Sequence, residues 1–235
     1  PDAIIQFNKA IIDATKDHCV AYKINTAFYE ALGVKGWEAM EETARYIPQT
    51  HFKIADAKRG DIGNTSSQYA KAFFETLPFD AITVAPYMGA DSIKPFLEYK
   101  DKWTIVLGLT SNSGAADFEL EKLGTDYLYE VVLKKVVKWG TPENLMFVVG
   151  ATQADAFKAI RHITPEHFYL VPGVGAQGGS LREISGQALL PDCGLLVNAS
   201  RAIIYASENE DFASEAKAIA QQYQFEMKSY LTKMT

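Results

Sequence analysis

Residues 56–66 read DAKRGDIGNTS and set Asp56, Lys58, Arg59 and Asp61 within six positions, directly after the alternating run at 51–55. Burying a charge is costly unless it is paired and hydrogen-bonded, so the stretch is either a solvated turn or a built site. In an extended strand Asp56 and Lys58 point to the same side. Asp61, in the following loop, is expected to curve back over them. An Asp–Lys–Asp array keeps its members ionised in a partly dry pocket. Lys23, in an earlier strand-like run, is placed to add a second cation and complete an alternating network. Such a cluster suits a reaction that builds negative charge on carbon and then delivers a proton to it. It is a poor metal site, because His18, His51, His162 and His167 are scattered and each reads as a surface or core residue. Arg59 receives no catalytic role and is expected to be a solvated or structural partner.

A second candidate lies in PGVGAQGG (172–179), where Gly173, Gly175 and Gly178 spell G-x-G-x-x-G after a strand-like run. A dinucleotide fingerprint requires an acidic residue at the end of the next strand. Here that run ends in Asn198 and Arg201, and Asp192 comes before it begins. A phosphate site made by the last two loops of a barrel fits better. Glycines let backbone N–H groups approach an anion, and Arg201 can grip it with a planar fork. The plain alternative is a flexible turn beside a surface arginine.

These residues need a scaffold. Seven β-rich runs recur at 18–24, 51–57, 80–86, 103–110, 145–151, 168–174 and 194–200. Between them lie segments with helical spacing. In 64–77, Asn64 or Thr65 can cap, and Tyr69, Phe73 and Leu77 repeat every four residues. In 125–140, Leu128, Val132, Val136 and Trp139 form the apolar stripe and Gly140 the stop. The segment 211–234 closes the chain as one long helix, and 3–16 opens it with Ile4, Phe7, Ile11 and Ile12 facing inward. Nearly all-apolar strands alternating with helices predict an α/β fold with a parallel sheet covered by helices. No linker divides the chain, so residues 1–235 are expected to form a single domain.

A closed barrel of eight strands needs one more strand before Pro1, whereas a doubly wound open sheet does not. The polar residues favour the barrel, because nearly every strand ends in a chemical group: Lys23, Asp56 with Lys58, Ser111 with Asn112, the glycine loop, and Asn198 with Arg201. A doubly wound sheet would concentrate its site at one switch point.

Composition sets the outer limits. Of 235 residues, 48% are hydrophobic and 22% charged, an ordinary globular balance. The net charge of −6 argues against nucleic acid and anionic membranes as general partners, while leaving room for a local phosphate site. Cys19 and Cys193 are too few for a disulfide framework and suit a reducing cytoplasm. No apolar run approaches a membrane span, and the start lacks a signal-peptide pattern.

Together with CVAYKINTAFYE (19–30) and GLTSNSGAADF (108–118), the stretches DAKRGDIGNT, PGVGAQGG and NASRAIIYAS closely resemble the orotidine 5′-monophosphate decarboxylase family. The resemblance spans essentially the whole chain. The D-x-K-x-x-D core is shared with related barrels, but the five stretches in this order are highly specific. The resemblance implies a (β/α)8 TIM barrel, active as a homodimer without cofactor or metal. The implied activity is that of a carboxy-lyase converting orotidine 5′-monophosphate to uridine 5′-monophosphate in de novo pyrimidine biosynthesis. It places Lys58 as proton donor to C6 of the pyrimidine, Asp56 against the substrate carboxylate, and Lys23 between Asp56 and a ribose hydroxyl. Asp61 and Thr65 would reach across the dimer interface to complete the partner's site, with Ile62 packing nearby. Ser111 would hydrogen-bond the pyrimidine, Gln177 would close over the phosphate beside Arg201, and Pro172 and Val174 would join them in binding substrate. The family's first strand, with its ribose-binding Asp, has no counterpart, so N-terminal residues are expected to be missing from this chain. Ile24 and Ser113 stand where the family pattern has Pro, which is expected to change local stiffness and leave the chemistry intact.

Three other readings remain at this point. A related barrel could handle a sugar phosphate through an enediolate on Mg²⁺. A Schiff-base aldolase would need Lys23 or Lys58 neutral, against their expected ion pairing. A non-catalytic barrel could bind a uridine nucleotide without converting it.

Overall fold

The β-rich runs become seven parallel strands in the computed structural model, which describes residues 2–175 and 178–233. They are β1 (Ala21–Asn25), β2 (Phe52–Arg59), β3 (Ala81–Val84), β4 (Trp103–Leu109), β5 (Leu145–Val149), β6 (Tyr169–Pro172) and β7 (Leu195–Asn198). Each pairs with the next in chain order, and the sheet curls into a nearly closed barrel with β1 and β7 at its margins. Parallel neighbours need a crossover, and helices supply it on the outer face.

Period-two alternation sorts the strand residues into two cores. Inside the barrel lie Ile54, Ala81, Ile105, Met146, Val148 and Leu170. Outside, Ile82, Val106, Phe147, Val149 and Val171 pack against helix residues including Phe73, Leu133 and Ile160. All five residues of β5 are buried, the even-numbered ones inward and the odd-numbered ones outward. Such side chains each contribute roughly 1.5–3 kcal/mol on burial, so both faces of the sheet hold the barrel in shape.

The first helix, α1 (Asp2–Thr15), buries Ile11 and Ile12, and its Phe7 stacks on Phe212 of the last helix at 5.1 Å between ring centroids. That last helix spans Phe212–Leu231. The helix after β2 (Gly63–Lys71) departs from the expected cap. Ile62 precedes the first turn, with no side-chain cap, and Asn64 and Thr65 fall inside it. The helix then runs into a π-turn over Ala72–Thr76, which buries the adjacent Phe73 and Phe74 together. The expected helix over 125–140 is shorter, Leu128–Val136, and buries Tyr129, Leu133 and Val136. Its first residues are diverted into a small hairpin, Lys122–Leu123 against Asp126–Tyr127, turning at Gly124 with φ +72°.

At the strand-entry end, the half-buried Arg161 is held by backbone carbonyls. Its guanidinium donates to the carbonyls of Thr164, His167, Ala188 and Gly194 and lies 3.8 Å from the Tyr169 ring centroid. Among the described residues no helix is long and apolar enough to cross a membrane.

Candidate active site

Strands β1, β2 and β3 bring their carboxyl ends together. Asn25 stands level with Asp56, and Lys23 with Ile54, so Lys23 and Asp56 share the inward face. Lys23 Nζ donates to Asp56 Oδ2 at 2.6 Å, and Lys58 Nζ donates to Oδ1 at 2.5 Å. Thr83 Oγ1 also donates to Oδ1, at 3.1 Å. The Lys23 and Asp56 side chains are 10% and 9% exposed, whereas Lys58 is 51% exposed and reaches into the open mouth. Burial pushes the Asp56 carboxyl up, but the two ammonium groups outweigh it and hold the carboxyl below its ordinary value.

Lys58 adopts a left-handed backbone, φ +47°, which is uncommon for a non-glycine residue. The β2–β3 register slips between Ala55 and Arg59, the mark of a local bulge. The Lys58 N–H does not join the strand ladder in the ordinary way and donates to Thr83 Oγ1 at 2.9 Å. Arg59 turns away from this array. It pairs with Glu30, donates to the Ala57 carbonyl, and lies 5.4 and 5.5 Å from the ring centroids of Tyr69 and Phe73. It is a structural partner.

The loop does not curve Asp61 back over its own chain's lysines. Asp61 Oδ1 accepts from the Ile62 N–H at 2.7 Å, its carbonyl accepts from Ser66 Oγ, and it forms no ion pair with Lys23 or Lys58. Only three residues, Gly60 to Ile62, separate β2 from the next helix, and they are held in this turn. Ile62 is 58% exposed, and Thr65 is exposed beside it.

Above the charged array lies a cavity of about 180 Å³. Leu107, Val148 and Leu170 form its apolar wall, and Thr110, Ser111, Asn112 and Pro172 line it from the strand ends. Glu119 braces this rim by accepting from Thr110 N at 2.7 Å and Thr110 Oγ1 at 2.8 Å. Ser111 packs so closely on Gly150 that a Cβ there would lie 2.6 Å from Ser111 N.

Pro172 pairs in register with Asn198, so the glycine loop and Arg201 follow adjacent strands. Gly173, Gly175 and Gly178 all have positive φ, between +77° and +93°, which side-chain-bearing residues resist. Arg201 is exposed at the start of a short helix, Arg201–Ile204. Val174 departs from its expected place: its side chain is 4% exposed, packs into the outer core and does not line the cavity. Gln177 lies outside the described residues. Among the described residues no three His, Cys, Asp or Glu side chains are grouped to hold a metal ion.

The model of the orotidine 5′-phosphate decarboxylase / HUMPS family matches residues 4–218. The chain belongs to that family. It is 56% identical over 235 residues to the orotidine 5′-phosphate decarboxylase of Bacteroides fragilis, covering 98% of this chain and 86% of the relative. Among solved structures it is similar to Leishmania donovani OMP decarboxylase, with a TM-score of 0.89 at 35% identity over 97% of this chain and 87% of the other. It is equally similar to Leishmania donovani UMP synthase, with a TM-score of 0.89 at 38% identity over 97% of this chain, and spans half of that longer protein. The barrel expected from the strand ends is therefore the TIM-barrel fold of the decarboxylase family, and the doubly wound sheet is set aside.

Four residues that brace the cavity were not visible as site residues in the sequence. Thr83 lies in an apolar β-branched run, where its hydroxyl looks like strand propensity. Its inward phase, shared with Ala81, is the only local signal. Thr110, Glu119 and Gly150 act on the Ser111 rim through contacts between separate segments.

Proposed function

We propose that this chain decarboxylates orotidine 5′-monophosphate to uridine 5′-monophosphate in pyrimidine biosynthesis. The carrying observation is the Lys23–Asp56–Lys58 array at the base of the cavity. Asp56 sits against the substrate carboxylate, and their repulsion is relieved as the C6–carboxylate bond breaks. The electron pair stays on C6, and the Lys58 ammonium, fixed on Asp56, gives a proton to that carbon. Carbon dioxide leaves, and Lys58 is reprotonated from solvent. Lys23 holds the far oxygen of Asp56 and offers a remaining donor to a ribose hydroxyl. Leu107, Val148 and Leu170 limit water near the developing charge, which strengthens the ammonium's effect. Ser111 faces the pyrimidine, and Pro172 and Arg201, at adjacent strand ends, form the phosphate end.

The catalytic unit is a homodimer of single-domain barrels in the cytoplasm, working without cofactor. Exposed apolar residues at the ends of three neighbouring strands support the dimer: Phe28, Ile62, Tyr87 and Met88. Asp61 and Thr65 stand at the same edge, turned away from their own lysines, and complete the partner's site. Two unpaired thiols, Cys19 and Cys193, fit a reducing compartment.

Incubation with orotidine 5′-monophosphate, with and without EDTA, tests the reading. Chelator-insensitive formation of uridine 5′-monophosphate supports it. Binding without product, or turnover that EDTA abolishes, overturns it.

A further inference from the structure

We propose that Thr83 is a positioning residue whose hydroxyl sets both the Asp56 carboxylate and the backbone of Lys58. This rests on the decarboxylase reading above. Thr83 is 1% exposed and touches the reaction only through other groups. Its single oxygen does two things at once. It accepts the Lys58 N–H at 2.9 Å and donates its own proton to Asp56 Oδ1 at 3.1 Å. Oδ1 is also the atom that takes the Lys58 ammonium, at 2.5 Å.

A closed circuit results, running from the Lys58 backbone through Thr83 and Asp56 to the Lys58 side chain. Without it, two costs reappear. The left-handed Lys58 loses the acceptor that fixes its N–H, and that conformation is unfavourable for a side-chain-bearing residue. Asp56 also loses the neutral donor that orients Oδ1, leaving its rotation to two flexible ammonium groups. A lysine that is 51% exposed has many other rotamers, so its tip position depends on this circuit.

The role is distinct from packing. Valine at position 83 keeps the branched shape and removes only the hydrogen-bonding capacity. Serine keeps the hydroxyl and removes a methyl group.

The test uses the full chain. With wild type active, Thr83→Val is expected to lower kcat by about 10- to 100-fold, the scale of a misplaced reacting group, with KM changed by less than about threefold. Thr83→Ser is expected to retain kcat within about threefold on the same principle. Equal kcat in wild type and Thr83→Val, or equal losses in Val and Ser, overturns the proposal. Should Thr83→Val not fold, Thr83→Ser against Thr83→Cys makes the same comparison, since a thiol is a weak donor and acceptor; equal kcat there likewise overturns it. A crystal structure of the Val or Cys variant gives a readout independent of turnover. Lys58 is expected to leave the left-handed region and its contact to Asp56 Oδ1. Unchanged placement of both groups overturns the proposal. Absence of product from wild type with the displaced Lys58 seen crystallographically would instead overturn the decarboxylase reading alone.

Discussion

Lys58 and Asp61 lie three positions apart in one turn of chain, yet they share no ion pair; Lys58 turns to Asp56, and Asp61 to the Ile62 N–H. If Asp61 serves the neighbouring subunit, Lys58→Ala and Asp61→Ala remove groups from different places in a dimer. Each variant alone is expected to lose turnover, with Lys58→Ala still binding uridine 5′-monophosphate. Mixing them in equal amounts and allowing subunit exchange is expected to restore about a quarter of wild-type activity, since half the dimers carry one intact site. No recovery, with exchange confirmed by mass, would place Asp61 in its own subunit's site.

Arg201 is exposed after the strand next to the glycine loop, where its guanidinium can meet an anion. Arg201→Ala is expected to raise KM by about 10- to 100-fold, equivalent to roughly 1.4–2.8 kcal/mol, with a smaller effect on kcat. Titration with uridine and with its 5′-phosphate locates the loss: the nucleotide weakens and the nucleoside does not.

Gly150 is needed for space. A methyl group there would sit 2.6–2.8 Å from the backbone and Cβ of Ser111. Gly150→Ala is expected to cost about 1–3 kcal/mol of stability and to displace the Ser111 rim, lowering kcat/KM. Urea unfolding and steady-state kinetics read the two effects separately.

His167 provides a pH dependence remote from the cavity. It is 4% exposed, both ring nitrogens lack a partner among the described residues, and it packs on Phe147. Burial and then the Arg161 guanidinium push its pKa down to about 4, against a weak opposing pull from Glu143. The folded form therefore resists protonation that the unfolded chain accepts. The stability that His167 contributes is expected to be full above about pH 6.5 and to fall toward pH 4, by roughly 3 kcal/mol. Asp56, whose carboxyl is held low, loses its contribution only in more acid solution. Urea unfolding between pH 7 and 4.5 is expected to show a steep slope in wild type and a flatter one in His167→Leu.

Strands were legible because parallel strands buried on both sides are written as short apolar runs, and β5 is buried at every position. Asp56 and Lys58 were legible because charges at a strand end demand an explanation. Arg59 was opaque: its aromatic neighbours Tyr69 and Phe73 come from the next helix and π-turn, and no linear spacing announces a cation stacked between elements. The helix start was misjudged for a related reason. Asn64 and Thr65 are good capping types, but the turn at Asp61 begins the helix before either can cap it. Val174 shows the limit of motif reading, since the motif does not report which phase of the chain faces the cavity.

The charge balance around the cavity has a kinetic consequence. The chain carries −6 overall, while Lys23 and Lys58 surround one carboxylate and Arg201 stands exposed after the last strand. A doubly charged phosphate ester approaching from solution meets repulsion first and attraction only on arrival. Mobile ions screen the distant field, with a Debye length of about 8 Å at 0.15 M, and leave the enclosed contacts nearly untouched. Raising ionic strength from about 0.01 to 0.15 M is therefore expected to leave kcat/KM undiminished, the reverse of a protein that draws its substrate in by long-range steering.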